Sequence, residues 1–371
     1  MITRLKLNSF CAFKELEIEF SPKINVIIGE NGSGKTQLLK AAYVLTRSGE
    51  ELGGRKSVMK ADAQSVLTQK MLGVYKPEDN KIGALRYRGD KSNTTLTVEF
   101  SSGQSLGASF TSRSNKVVPL GNYKKPDTGG GVFLPTKEIL SFLGGIADPE
   151  SHRPTVEQLF DTTYFDLAHK LLNPKQAREE KAQWSKEKIT NKIGGRFEFN
   201  GSKVSFRPGG YKEYKKQHAS KTYFAPIAKD CFSTTMTAEG YRKLGVLQRL
   251  LQNSAVGTGA SGPLYWDEPE SNMNPQLLST VVEVLLELSR NGQQIILATH
   301  DYILLKWFDL LLDKKGKSDH VKFHTLFRDG SGKIDCESSD SYKQLSKNAI
   351  ALTYSELYDA EIERALGRPG V

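Results

Sequence analysis

The sequence predicts an α/β fold, a mixed sheet flanked by helices and interrupted by an inserted helical and β-hairpin region. Three stretches carry that expectation. Ile24–Thr36, INVIIGENGSGKT, is an apolar run that opens directly into a glycine-rich loop closing on Lys35-Thr36. Gly262–Pro275, GPLYWDEPESNMNP, holds a short apolar strand that ends in two carboxylates, Asp267 and Glu268. Ile295–Tyr302, IILATHDY, is a third apolar run, ending at Thr299-His300. Short, wholly apolar runs bounded by turn residues are the pattern of strands buried on both faces.

The other elements follow in order. ITRLKLNSFCAFKELEIEF alternates as two short strands around a turn near Ala12–Lys14, and it feeds a strand at Asn25–Ile28. Gln37–Leu45 is helical, with Leu38, Leu39, Ala42 and Leu45 on one face. Gly49–Lys81 is polar with helical pieces such as Ala61–Leu72. Leu85–Arg88 and Thr94–Phe100 read as strands, and Ser101–Gly131, rich in Gly, Ser and Lys, as a loop. In GGGVFLPTKEILSFL a strand ending near Leu134 passes through Pro135 into a helix with Thr136 as N-cap; Glu138 and Glu157 have no evident purpose. Pro154–Leu172 is an amphipathic helix and Lys175–Ile193 a charged one. Arg196–Phe199 and Lys203–Phe206, joined by Asn200-Gly201, form a tight hairpin. Ala238–Asn253 is helical, and strands Leu264–Trp266 and Gln294–Thr299 flank a helix at Gln276–Arg290. The expected organisation is a lobe over 1–150, an inserted basic region over 151–232 and a second lobe over 233–371.

Composition narrows the class. No apolar run approaches the roughly 18 residues that span a bilayer, and the start carries no signal-peptide pattern, so a cytoplasmic protein is expected. Cys11, Cys231 and Cys336 are too scattered for a zinc cluster or a disulfide framework. The net charge of +10 is concentrated: Lys170–Lys221 holds fourteen Lys/Arg against five Glu. Such a segment tracks a DNA or RNA backbone, or faces an acidic protein. AREEKAQWSKEK also fits a solvated helix face of mixed charge, and both readings stand.

The chemistry lies in the loop G-x-x-x-x-G-K-T, Gly29 to Thr36. Gly29, Gly32 and Gly34 let the backbone curl, so that the N–H groups of the loop, through Glu30, Asn31 and Ser33, point inward at a phosphate chain. A helix starting near Lys35 adds its positive end. Lys35 reaches the β- and γ-phosphates and the Thr36 hydroxyl is placed to hold Mg²⁺, which implies a nucleoside triphosphate and magnesium as ligands. Asp267, at the end of its strand, would hold the metal through its water shell, and Glu268 would polarise the attacking water. An adjacent parallel strand would deliver His300 to the same edge, in contact with the γ-phosphate.

GENGSGKT, YWDEPESNMNP and LATHD, in that order, make the chain resemble the ABC-type ATPase superfamily, in the branch shared with SMC, RecF and overcoming-lysogenization-defect proteins. The resemblance covers Met1–Glu50 and Thr235–Leu312, and more loosely Val132–Leu143. It implies an ABC-type P-loop ATPase head that closes as a homodimer over two ATP molecules. A signature segment, TMTAEGYRKLG, would open a helix at Thr237, Glu239 and Gly240 toward the partner's ATP. Here the sequence departs from pattern, with Thr237-Ala238-Glu239 where Ser-Gly-Gly is common. A magnesium-sensing glutamine is also implied, with Gln64 and Gln69 as candidates. DEPESNMNP, VFLPTKEIL and YSELYDAEIERAL further resemble ATPases of bacterial phage-defence systems (Septu-type, PARIS-type, retron-associated). That likeness implies a separate effector, such as an HNH or TOPRIM-type nuclease. A RecF-like DNA-repair ATPase and a mainly non-catalytic ATP-dependent scaffold are the alternatives.

Overall fold

The structure, a computed structural model, describes residues 1–90, 92–123, 129–147, 153–173, 183–215, 222–226, 229–257 and 261–366. The chain opens with β1 (Ile2–Phe10), β2 (Phe13–Glu19) and β3 (Ile24–Gly29), then α1 (Lys35–Gly53) and α2 (Lys60–Tyr75). Strands β4 (Thr94–Phe100), β5 (Ser105–Phe110), β6 (Val118–Gly121) and β7 (Val132–Leu134) follow, then α3 (Leu143–Ala147), α4 (Arg153–Leu159), α5 (Thr162–Leu172) and α6 (Gln183–Ile193). A hairpin of β8 (Gly195–Asn200) and β9 (Lys203–Pro208), a pair of β10 (Tyr211–Lys215) and β11 (Thr222–Pro226), and the short β12 (Phe232–Ser233) lead to α7 (Glu239–Gln252). The last part alternates β13 (Leu264–Asp267), α8 (Pro275–Arg290), β14 (Ile295–Ala298) and α9 (Tyr302–Leu311) before β15 (Val321–Arg328), β16 (Ile334–Ser339) and α10 (Ala349–Ala365).

The central sheet runs β16-β15-β3-β14-β13-β7. All its pairings are parallel except that of β16 with β15. A five-stranded antiparallel sheet, β2-β1-β4-β5-β6, covers one side. Alternation along the central strands divides the interior in two. Val26, Ile28, Leu264, Trp266, Ile295 and Leu297 face a core shared with α5, α7, α8 and α9. Ile27, Tyr265, Ile296 and Ala298 face the core beneath α1, α2 and the antiparallel sheet. There Tyr265 stacks on Phe133 (centroids 6.4 Å, interplanar 22°) and meets Tyr43 edge-on at 5.8 Å. Burial of each such ring contributes roughly 1.5–3 kcal/mol. Among the described residues no helix is long and apolar enough to cross a membrane.

The mixed α/β sheet expected from the three apolar runs is present, as are the first hairpin, α1, the Asn200-Gly201 hairpin, α7 and α8. Elsewhere the structure corrects the sequence. The stretch 101–131 is not a plain loop, because it contributes β5 and β6. Its Gly, Ser and Ala side chains are small enough to sit against β4, and Gly107 lies so close that a Cβ would meet the Leu96 carbonyl oxygen at 2.6 Å. Leu85–Arg88 is no strand: a 3₁₀ turn ends at Leu85 and one bridge joins Arg86 to Phe10. Beyond β7 no helix forms until Leu143, so Thr136 caps nothing. Pro154–Leu172 is two helices, broken where Asp161 leaves helical geometry and its carboxylate accepts the Thr163 N–H at 2.8 Å. The charged helix expected from Lys175 is described from Gln183, and 174–182 lie outside the described residues. Strands β15 and β16 add to the elements expected from the sequence.

Helix α5 is bolted to α1 and α2 by charge. Asp166 accepts from the Tyr43 hydroxyl at 2.7 Å and lies 3.1 Å from Lys70 Nζ and 3.9 Å from Arg47 Nε, all largely buried. Lys40, one turn beyond Thr36, pairs with Asp161 at 2.7 Å. Removing one partner of such a cluster leaves buried cations uncompensated. Asp166→Ala is therefore expected to destabilise the fold by about 3 kcal/mol in urea unfolding, whereas an exposed pair such as Lys81–Asp79 changes it by less than about 1 kcal/mol.

Candidate functional site

The register of the parallel strands builds one edge. Asp267 on β13 lies beside Ala298 on β14, and Ala298 beside Ile27 on β3; on the far side Trp266 lies beside Leu134 on β7. The residues that leave these strands therefore emerge together, as they do at the carboxyl ends of other parallel sheets. They are the loop Gly29–Thr36 after β3, Thr299-His300 after β14, Asp267-Glu268 at the end of β13, and Thr136 after β7.

Their side chains converge. The Thr36 hydroxyl lies 3.0 and 2.9 Å from the two oxygens of Asp267, and the Thr136 hydroxyl donates to Asp267 Oδ2 at 3.1 Å. Lys35 Nζ donates to the carbonyls of Gly29 (2.7 Å) and Glu30 (3.0 Å). Ser33 Oγ is buried and finds no hydrogen-bond partner among the described residues. Gly34 is the N-cap of α1 at φ 90, and a Cβ there would meet Phe13 Cζ at 2.6 Å, so only glycine fits. Glu268 sits at φ 49, a left-handed conformation uncommon for glutamate, while its N–H donates to the Ala298 carbonyl at 2.9 Å. His300 Nδ1 lies 3.4 Å from Glu268 Oε1.

Burial sets the electrostatics. It pushes the Asp267 carboxyl above its ordinary range, against the pull of the two threonine hydroxyls. It raises Glu270 in the same way and lowers the Lys35 ammonium, which the neighbouring carboxylates partly restore.

Three participants escaped the sequence. Thr136 has the sequence position of a helix cap, but its hydroxyl donates to Asp267 instead. Glu270, 8% exposed, accepts the His300 N–H at 3.1 Å. Lys243 on α7, 4% exposed, donates to the Glu268 carbonyl at 3.3 Å, and burial lowers its ammonium. Of the three, only Glu270, the last carboxylate of DEPE, is a signal visible in the sequence. The glutamines lie elsewhere: Gln64 donates to the Val117 carbonyl at 2.8 Å and Gln69 is exposed on α2. A cleft of about 660 Å³, lined by Cys11, Ala12, Gln37, Tyr87 and Arg328 among others, opens beside the loop, and Arg328 donates to the Gly32 carbonyl at 3.3 Å.

Thr237, Glu239 and Gly240 stand at the start of α7. The Thr237 hydroxyl donates to the Thr234 carbonyl at 2.6 Å, Glu239 accepts from Asn272 at 3.0 Å, and Gly240 packs against Met273 and Leu277. Ala238 is the N-cap and supplies no side-chain bond to the helix. Arg242, on the same helix, pairs with buried Glu138 at 2.8 Å, which gives that carboxylate its purpose. Glu157 lies on the surface of α4, where its carbonyl accepts from Lys76. Of the basic segment, 174–182 and 216–221 lie outside the described residues.

A family model described as "AAA ATPase domain" matches residues 1–224, and one described as "AAA domain, putative AbiEii toxin, Type IV TA system" matches 239–306. Among curated relatives, the "DNA replication and repair protein RecF" of Oenococcus oeni is 49% identical over 45 residues, 12% of this chain and 12% of the relative. That of Bacillus cereus is 30% identical over 98 residues, 26% of this chain and 22% of its own length. The chain thus spans only a small part of the RecF proteins it matches. In three dimensions it is similar to an SMC head solved with the C-winged helix domain of ScpA, at a TM-score of 0.53, with 15% identity over 92% of this chain and 98% of the other. At that identity the likeness is one of fold.

A carboxyl whose value is raised by folding binds its proton more readily in the native state. Native stability therefore falls as pH rises from the ordinary carboxylate range through the raised values of Asp267 and Glu270. Asp267→Asn removes the buried charge and keeps an acceptor for both threonines. It is expected to raise the Tm of the nucleotide-free protein at neutral pH by on the order of 2 °C, measured by differential scanning fluorimetry.

Proposed function

The chain belongs to the AAA ATPase domain family, and from that membership we propose that it is an ATP-driven switch: two copies close over two ATP molecules, and hydrolysis lets them part. The observation that carries this reading is the convergence of Thr36, Asp267, Glu268 and His300 at one sheet edge beside the glycine loop. The loop N–H groups and the start of α1 hold the phosphate chain, and Lys35 exchanges its loop carbonyls for β- and γ-phosphate oxygens. The adjoining cleft takes the nucleoside. A hydroxyl and a carboxylate are the hard oxygen donors magnesium prefers, and Thr36 and Asp267 would hold it. When bound, magnesium offsets the charge of the phosphate chain. Glu268 accepts the proton of the attacking water, its backbone fixed by the bonds to Ala298 and Lys243. His300 contacts the γ-phosphate.

The trans half of the site is the start of α7. The N–H groups of Glu239 and Gly240 lack a side-chain cap, which leaves them for an anion, while that of Tyr241 donates to the Ala238 carbonyl. Exposed Phe232 (42%) and Met236 (73%) beside it are surface that a second copy would cover. Thr237 and Gly240 would face the partner's ATP.

In this reading the closed dimer controls a separate effector, an HNH or TOPRIM-type nuclease, in a bacterial anti-phage complex, with Lys170–Lys221 contacting DNA, RNA or that protein. Its support is the DEPESNMNP and VFLPTKEIL wording and a family model whose description names a toxin of a type IV toxin–antitoxin system. The RecF matches favour a second reading, a DNA-repair ATPase that grips DNA itself.

Glu268→Gln is expected to retain ATP, to lose turnover by about 100-fold or more and to accumulate dimers in size-exclusion chromatography, while Lys35→Ala binds no ATP. Turnover at the wild-type rate in Glu268→Gln would remove that residue as the base. Salt-sensitive gel shifts of duplex DNA by the isolated chain, strengthened by ATP, are the outcome of the repair reading. The defence reading expects no shift until the effector is added.

A further inference from the structure

We infer that Glu270 is a positioning residue for His300, an inference that rests on the ATPase reading above. The turn after β13 carries two glutamates with opposite surroundings. The Glu268 side chain is 27% exposed, whereas that of Glu270 is 6% exposed and turned inward. A buried carboxylate is costly unless something requires its charge or its acceptor oxygens. Glu270 Oε1 accepts the His300 main-chain N–H at 3.1 Å and lies 3.5 Å from its Nδ1, while the Thr299 hydroxyl and the main-chain N–H of Glu270 itself also bond to the carboxylate. The first contact fixes where the chain leaves β14. The second, together with Glu268, draws Nδ1 of the ring to the carboxylate side.

The consequence follows from the shape of imidazole. Nδ1 is turned toward two carboxylates, Glu268 Oε1 at 3.4 Å and Glu270 Oε1 at 3.5 Å. That leaves Nε2, on the other side of a ring whose side chain is 49% exposed, as the nitrogen available to a ligand. A carboxylate facing one ring nitrogen so that the other is aimed outward is the usual way a protein orients a working histidine. The charged groups around Glu270 are Glu268 and Asp267 of its own turn, His300, Lys35 of α1 and Lys243 of α7. Among them His300 alone is bonded to Glu270 through its main chain. Glu270 thus acts on the nucleotide through the histidine and touches no reacting atom itself.

The test is a double-mutant cycle on the full chain. Glu270→Ala is expected to lower kcat for MgATP by about 10- to 100-fold, with KM and the affinity for a fluorescent ATP analogue within about twofold. Glu270→Gln, which keeps an acceptor oxygen for the His300 N–H, recovers most of the rate. In a His300→Ala background Glu270→Ala has no further effect, because the residue it positions is gone. An equal loss in both backgrounds, or a wild-type kcat in Glu270→Ala, overturns the assignment. So does a rise in KM matching the fall in kcat, which marks a damaged binding site. Wild-type protein without Lys35-dependent turnover sinks the hydrolysis reading and this one together, while normal turnover in Glu270→Ala sinks only this one.

Discussion

A carboxylate buried between two threonine hydroxyls is the constraint on which the rest of this molecule depends. Asp267 is 4% exposed, and burial alone favours its neutral form. Thr36 and Thr136 make its position tolerable by donating to it from either side. To do so, three strand ends must stop at one level of the sheet: β3 with its loop, β13 with the acid and β7 with the second threonine. The parallel register supplies that alignment. A one-residue slip would send alternate side chains into the wrong core and separate the three groups.

The two cores hold the register in place. Trp266 and Tyr265 are neighbours in sequence and point to opposite interiors, so β13 is gripped from both faces. The same arrangement lets helices reach the edge from either side. Helix α1 carries Thr36 and, one turn on, Lys40, which ties the helix to the start of α5 through Asp161. From the other face α7 reaches over with Lys243 on the Glu268 carbonyl and Arg242 on Glu138. Its first turn also contacts the chain beyond Glu270, through Glu239 with Asn272 and Gly240 with Met273. The turn Glu268–Asn274 is therefore held at both ends by the helix that begins the proposed trans site. A displacement of that helix by a second copy would be felt at Glu268.

Local patterns are legible in the sequence wherever local chemistry decides. The apolar runs became β3, β13 and β14, and Asn200-Gly201 made its hairpin, because burial on both faces and left-handed turn geometry each leave a mark on a few consecutive residues. Local pattern misleads where distant residues decide. Thr136 resembles a helix cap until β7 is seen beside β13, with Asp267 within reach. Ser101–Gly131 resembles a loop until the pairing of β5 with β4 makes small residues an asset. The break in Pro154–Leu172 was written in Asp161, a capping residue inside an apolar periodicity that outweighed it.

By itself the sequence determined the kind of chemistry. A glycine loop closing on Lys35-Thr36, and carboxylates and a histidine at the ends of apolar strands, are covalent facts that allow little but phosphate binding with an acid and a base at hand. Only the tertiary structure decided which residues share that edge. Thr136, Glu270 and Lys243 lie 131, 30 and 25 residues from the groups they meet, Asp267, His300 and Glu268. The reason is physical. A hydroxyl, a carboxylate or an ammonium takes its role from what desolvates and faces it, and that is set by strand register and helix packing.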